Sequence, residues 1–121
     1  MDSILESVKK FIGFNKEYTP FDDDILLQIN SCIGTLSQVG PDFFDDFVVT
    51  GYEETWDDLY SMIDTTNNGF NRTTFELIKN YIFIKSRIIF DPPSSSFVLD
   101  ALKQKADELE WRISIMHTPT V

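Results

Sequence analysis

The sequence has one cysteine and one histidine in 121 residues. A single thiol excludes an internal disulfide and fits a reducing compartment, or a particle assembled in one. Structural zinc sites draw four ligands from Cys and His, so that chemistry is excluded as well. Long apolar runs are also missing. The longest, Tyr81–Phe90, is interrupted by Lys85 and Arg87 and falls well short of the ~20 residues a membrane span needs. The start, Met1-Asp2-Ser3, is acidic with no apolar stretch behind it, so no secretory signal is expected. Neither a glycine-rich phosphate loop nor a Gly-x-Ser-x-Gly elbow occurs. The most telling absence is of positive charge: residues 17–71 hold twelve acids and no Lys or Arg. Phosphate binding needs cations that displace counterions, so this block repels nucleic acid.

The acidity is local. Residues 1–16 and 72–121 each carry a net +1, whereas the whole chain carries −10. Two readings follow. The block is a solvated, solubilising face, or it is a wall that must not adhere to nucleic acid, or that imitates it. What the chain does contain is core material: 42% hydrophobic and 14% aromatic residues. A chain of this length is expected to form a single domain over residues 1–121 with an ample core.

The periodicity predicts an all-α fold, a small bundle of about five helices with a long C-terminal helix. Ser3 and Glu6 read as a capping box before Ile4, Val8, Phe11 and Ile12, with Gly13 as the stop. Thr19-Pro20 starts a second helix as cap and first position. Asp22, Asp23 and Asp24 crowd its positive end, and Ile25, Ile29, Cys32, Ile33 and Leu36 line one face up to Gly40-Pro41. A short extended or hairpin arm is expected around residues 47–52. Trp56, Leu59, Tyr60 and Ile63 have helical spacing. Thr73 to Glu76 reads as a second capping box, opening a helix to Phe90. That helix is apolar nearly all round, so it sits centrally or faces a second chain. Asp91-Pro92-Pro93 forces a corner. The longest helix follows from about Ser96 to Met116. Leu99, Leu102, Ala106, Leu109, Ile113 and Met116 form its heptad seam, with Lys103–Asp107 and Glu108–Arg112 as flanking i,i+4 pairs.

No constellation for catalysis emerges. Asp64 to Gly69 resembles part of a calcium loop, but Phe75 stands where a bidentate Glu is required. Cys32 lies on an apolar helix face, and the lone imidazole, His117, is at the other end of the chain. No enzyme activity, cofactor or metal is therefore expected. The positive signal is surplus apolar surface for docking. Trp111 and Ile115 lie beside the seam, Phe43 and Phe44 lie in a loop, and large aromatics are typical anchors of protein interfaces. Trp56 is assigned to the core.

Phe90-Asp91-Pro92-Pro93, the serines after it, and Glu108-Leu109-Glu110-Trp111-Arg112 resemble the end of a family of phage head–tail connector proteins. These are the adaptor or head-completion subunits of long-tailed phages of Gram-positive bacteria. Phe47 to Gly51 followed by Glu54-Thr55-Trp56 is similar to that family's middle, and the resemblance covers roughly Ile25 to Ile115. It implies a structural virion protein at the neck, made in the host bacterial cytoplasm. Such a subunit joins a ring, usually twelvefold, that docks on the portal, extends the DNA channel and receives the next neck or tail component. No enzymatic activity, membrane contact or specific nucleic-acid binding is implied. On this reading Phe83, Trp111, Ile115 and Met116 are the candidate interface residues. Asp42, Asp45, Asp46, Glu53 and Glu54 are the candidate channel-facing acids. The alternative is an acidic DNA mimic that occupies a nucleic-acid-binding enzyme.

Overall fold

The computed structural model describes residues 3–39, 47–62 and 71–117. The calcium-like turn at Asp64–Gly69, together with Ile63, Phe43 and Phe44, lies outside them. Among the described residues there are five helices and no strand: α1 (Ile4–Phe11), α2 (Asp22–Val39), α3 (Trp56–Ser61), α4 (Arg72–Phe90) and α5 (Ser96–His117). The all-α bundle with a long last helix is what the pattern called for.

Helix α1 is short and strongly two-sided. Ser3 Oγ accepts the Glu6 N–H at 2.9 Å. Only half of the expected box forms, for the Glu6 carboxylate lies 3.6 Å from the Lys16 ammonium instead. Ile4, Leu5, Val8 and Ile12 are buried, each contributing about 1.5–3 kcal/mol by leaving water. The chain leaves the helix through Gly13 at φ 95, a left-handed conformation that costs glycine nothing.

Two helix starts differ from the expected ones. Helix α2 begins at Asp22, not at Pro20. Pro20 lies in a turn, across which the Asp22 N–H donates to the Thr19 carbonyl at 3.1 Å. That turn brings Asp22 over Lys9. Helix α4 begins at Arg72, and its box is Asn71 with Thr74, not Thr73 with Glu76. Asn71 Oδ1 accepts the Thr74 N–H at 3.1 Å, and Thr74 Oγ1 accepts the Asn71 N–H at 2.8 Å. Asn ranks with Ser as a cap, and here it stands one turn ahead of Phe75, which is buried.

Helix α4 is the central element, packed against α5, α2 and α1. Phe75, Ile78, Tyr81, Ile82 and Ser86 are buried, while Leu77, Phe83, Ile84 and Phe90 are half-buried around the same core. Three neighbouring helices account for most of its apolarity, while Ile89 remains 56% exposed. Helix α5 lays Ala106, Leu109 and Ile113 of the seam against this core. Leu99 and Leu102, nearer its start, are only half-buried. Ser95 caps α5, accepting the Leu99 N–H on its carbonyl at 3.0 Å and facing the Val98 N–H with its hydroxyl at 3.4 Å. The Glu108–Arg112 pair forms at 3.2 Å.

The 47–52 segment forms no strand; a side chain holds it instead. Asn30 of α2 donates to the Val49 carbonyl at 3.0 Å and accepts the Val49 N–H at 2.8 Å. One amide thereby does for Val49 what a partner strand would do. Val49 is buried, and Trp56 just beyond is buried as expected, with its indole N–H on Ser7 Oγ at 3.1 Å.

The least foreseeable feature is Lys9, whose ammonium is wholly enclosed. It pairs with Asp22 Oδ1 at 2.8 Å and donates to the Lys16 carbonyl at 2.9 Å and to the Tyr52 hydroxyl at 2.7 Å. Tyr52 in turn donates toward Asp22 Oδ2 at 2.8 Å. Two hydrogen bonds and the Asp22 counter-charge compensate the ammonium, the condition under which a buried charge is tolerated. Burial opposes the charged form. The hydrogen bonds to Asp22 and Tyr52 and the Asp22 charge outweigh it, so the pKa of Lys9 lies above the ordinary lysine value. This knot joins α1, the loop after it, the start of α2 and the arm.

Candidate protein interfaces

Helix α5 has two faces. On its inner face Ala106, Leu109 and Ile113 are buried; on its outer face Phe97 is 82%, Trp111 62% and Ile115 48% exposed. Phe97, Gln104, Trp111 and Ile115 fall in register on that outer face, since residues 97, 104 and 111 are one heptad apart and 115 follows at i+4. Two heptads separate the aromatic ends by about 21 Å. The outer stripe is thus apolar at both ends, with Gln104 and Glu108 between. Trp111 and Ile115 were legible as off-seam residues. Phe97 was not, although its heptad spacing to Trp111 was the available signal. The side chain of Met116 lies outside the described set.

Phe83 does not stand free. It lines a groove of about 340 Å³ together with Ser7, Lys10, Phe11, Trp56 and Lys79. Phe11 stacks on it with ring centroids 4.9 Å apart, and Trp56 meets it edge-on at 5.5 Å. Phe11 remains 45% exposed. Lys79 lies with its ammonium 5.4 Å from the Trp56 ring and 3.6 Å from the Glu76 carboxylate, and Lys10 is exposed. The sequence marked Phe83 but not its partners, which come from α1, α3 and α4.

The candidate channel acids divide. Asp42, Asp45 and Asp46 lie outside the described residues. Glu53 is exposed. Glu54 is committed locally: its carboxylate accepts the Thr50 N–H at 3.0 Å, the Thr50 hydroxyl at 2.6 Å and the Gly51 N–H at 3.3 Å. Burial alone would raise its pKa, but these bonds hold it below the usual carboxylate value. Other acids of the 17–71 block are also engaged inside the fold. Asp22 pairs with Lys9, Asp57 with Arg72, and Asp58 closes the α3 capping box with Thr55. Glu17, Asp23 and Asp24 are exposed.

A polar pocket of about 320 Å³ between α2, α4 and α5 is lined by Gln28, Cys32, Tyr81, Lys85 and Glu110, among others. Its chemistry is that of a resting structure. Burial pushes the Cys32 thiol up to about 11. Burial and the Glu110 carboxylate, which accepts the Tyr81 hydroxyl at 2.8 Å, push the Tyr81 phenol up as well. Both groups are protonated at neutral pH, and a nucleophile needs the opposite shift. Among the described residues no three His, Cys, Asp or Glu side chains cluster as metal ligands. No described helix is long and apolar enough to cross a membrane.

The family described as "Phage connector protein" matches over residues 4–120. No curated protein and no solved structure matches.

Proposed function

The chain belongs to the phage connector protein family, and from that premise we propose that it is one subunit of a closed ring, twelvefold when assembled, that docks on the portal and extends the DNA channel. The family is structural, not enzymatic. Its place is the head–tail junction of the virion, and its associations are with portal and tail proteins. The ring, its symmetry and the channel are our reading.

The observation that carries it is the two-faced α5. A ring needs two different surfaces on each subunit, joined heterologously and closed by rotation. Helix α5 commits its inner seam to the bundle and offers one such surface through the exposed Phe97, Trp111 and Ile115. Exposed Trp of this kind is the usual anchor of a protein interface. In this reading Trp111 and Ile115, with Met116 beside them and Phe83 in its groove, make contacts to neighbouring subunits or the portal. Asp42, Asp45, Asp46, Glu53 and Glu54 face the channel, where carboxylates let DNA slide because they offer phosphates no cation. Residues 1–121 act as one connector domain, made in the cytoplasm of a bacterial host.

The test is assembly. The purified chain is mixed with portal-bearing heads that lack it, sedimented, and imaged by electron microscopy. Co-sedimentation and a ring below the portal are expected. A chain left in the supernatant, or a ring with those acids on its outer wall, would end the corresponding part of the reading.

A further inference from the structure

The charge pattern and the aromatic groove fit one another between copies. The groove at the α1–α3–α4 junction has an apolar floor of Phe11, Trp56 and Phe83 and a rim that carries Lys10 and Lys79, the latter 3.6 Å from the exposed Glu76 carboxylate. In a chain of net charge −10, lysines beside the exposed Phe11 ring and the half-buried Phe83 favour an acidic, aromatic occupant. The same chain carries such a surface among its described residues. Phe14 and Phe21 stack with centroids at 5.7 Å, and Tyr18 lies tilted against Phe14 at 5.5 Å. Tyr18 is 46% exposed, and Phe21 nearly as much. Glu17, Asp23 and Asp24 beside them are exposed as well.

The two surfaces lie on opposite flanks of α1. Ser7, Lys10 and Phe11 turn toward the groove, while Lys9 turns toward Asp22 at the acidic corner. At 100° per residue those directions differ by roughly 150°. One copy therefore cannot fold its corner into its own groove, but it can present the corner to the next copy. Unlike surfaces on opposite flanks are what a head-to-tail contact requires. The Lys9–Asp22–Tyr52 knot fixes the corner relative to α1, so the two surfaces are held at a set angle.

We infer that the acidic aromatic corner around Phe21, Asp23 and Asp24 of one subunit docks into the Lys10- and Lys79-rimmed aromatic groove of its neighbour, forming the head-to-tail contact of the ring. This rests on the ring reading above.

Two single variants, Asp24→Cys and Lys10→Cys, are mixed on portal-bearing heads and treated with a short bismaleimide. The native Cys32 is buried, and each variant alone is the control. A covalent dimer from the mixture and none from either control is expected. Charge reversal gives a second measurement. Lys10→Glu with Lys79→Glu should lower subunit occupancy on heads about tenfold at low salt. Asp23→Lys with Asp24→Lys should do the same, and mixing the two reversed chains should restore it. Rings that form normally without the mixed dimer, or a cross-link that runs to the portal protein, would overturn the contact and leave the ring standing. Absence of any ring on the heads would overturn both.

Discussion

Lys9 and Asp22 form an ion pair of 2.8 Å in which the lysine side chain is wholly enclosed and the aspartate is 17% exposed. The pair spans the turn between α1 and α2. It sets the orientation of the acidic corner relative to the core, so stability and assembly geometry meet at one contact.

Removing either partner leaves the other without its main counter-charge. Lys9→Met and Asp22→Asn should each destabilise the chain by about 3 kcal/mol, with a coupling of about 1–3 kcal/mol in the double variant. The pH dependence has a fixed sign. The Lys9 pKa is raised in the folded chain, so its stabilisation is complete below the ordinary lysine value of 10.5 and is lost as the pH rises through the folded value. Thermal melts at a series of pH values should show the gap between wild type and Lys9→Met closing only in that alkaline range.

Asn30→Ala should release the arm. It orphans the N–H and carbonyl of Val49, a buried residue, at a cost of about 2–3 kcal/mol. Asn30→Asp keeps the acceptor for the Val49 N–H but sets a carboxylate oxygen against the Val49 carbonyl, so it should release the arm as well. Limited proteolysis within residues 47–52, followed by mass spectrometry, should cut both variants faster than wild type.

Glu54 gives an acid-side signature. Its pKa is depressed, so the stabilisation it supplies is present above the ordinary carboxylate value of 4.5 and disappears as the pH falls through the folded value. Glu54→Gln should cost about 1 kcal/mol at pH 7, the lower end for a charged acceptor because the site is part-exposed. As the pH falls through the folded value, below 4.5, the two melting curves should converge. A gap that persists in acid would mean that the carboxylate does not hold the Thr50–Gly51 turn.

Trp111→Ala with Ile115→Ala separates folding from docking. Both side chains are exposed, so the melting free energy should change by less than about 0.5 kcal/mol per site. Co-sedimentation with portal-bearing heads should fall by at least about tenfold if these residues anchor an interface. A large loss of stability instead would place them in the fold.

The helices and the charge segregation were legible in the sequence because their causes are local. Caps, i+3/i+4 spacing, Gly13 and the Pro92-Pro93 corner act within a turn or two, and the absence of Lys and Arg from residues 17–71 needs no fold to be seen. The α4 start lay between neighbouring cap candidates, Asn71 and Thr73, and the α2 start moved because the Thr19–Asp22 turn takes up Pro20. What the tertiary structure alone decided involves residues far apart in the chain. Lys9, Asp22 and Tyr52 make one buried network, Asn30 stands in for a strand beside Val49, and Phe11, Trp56 and Phe83 make one groove. A lysine near a helix end reads as a solvated cation until another element encloses it. An aromatic residue reads as core or surface only once its neighbours are known. Pattern fixes which residues share a face of one helix, and packing decides which face meets another helix and which is left for a partner.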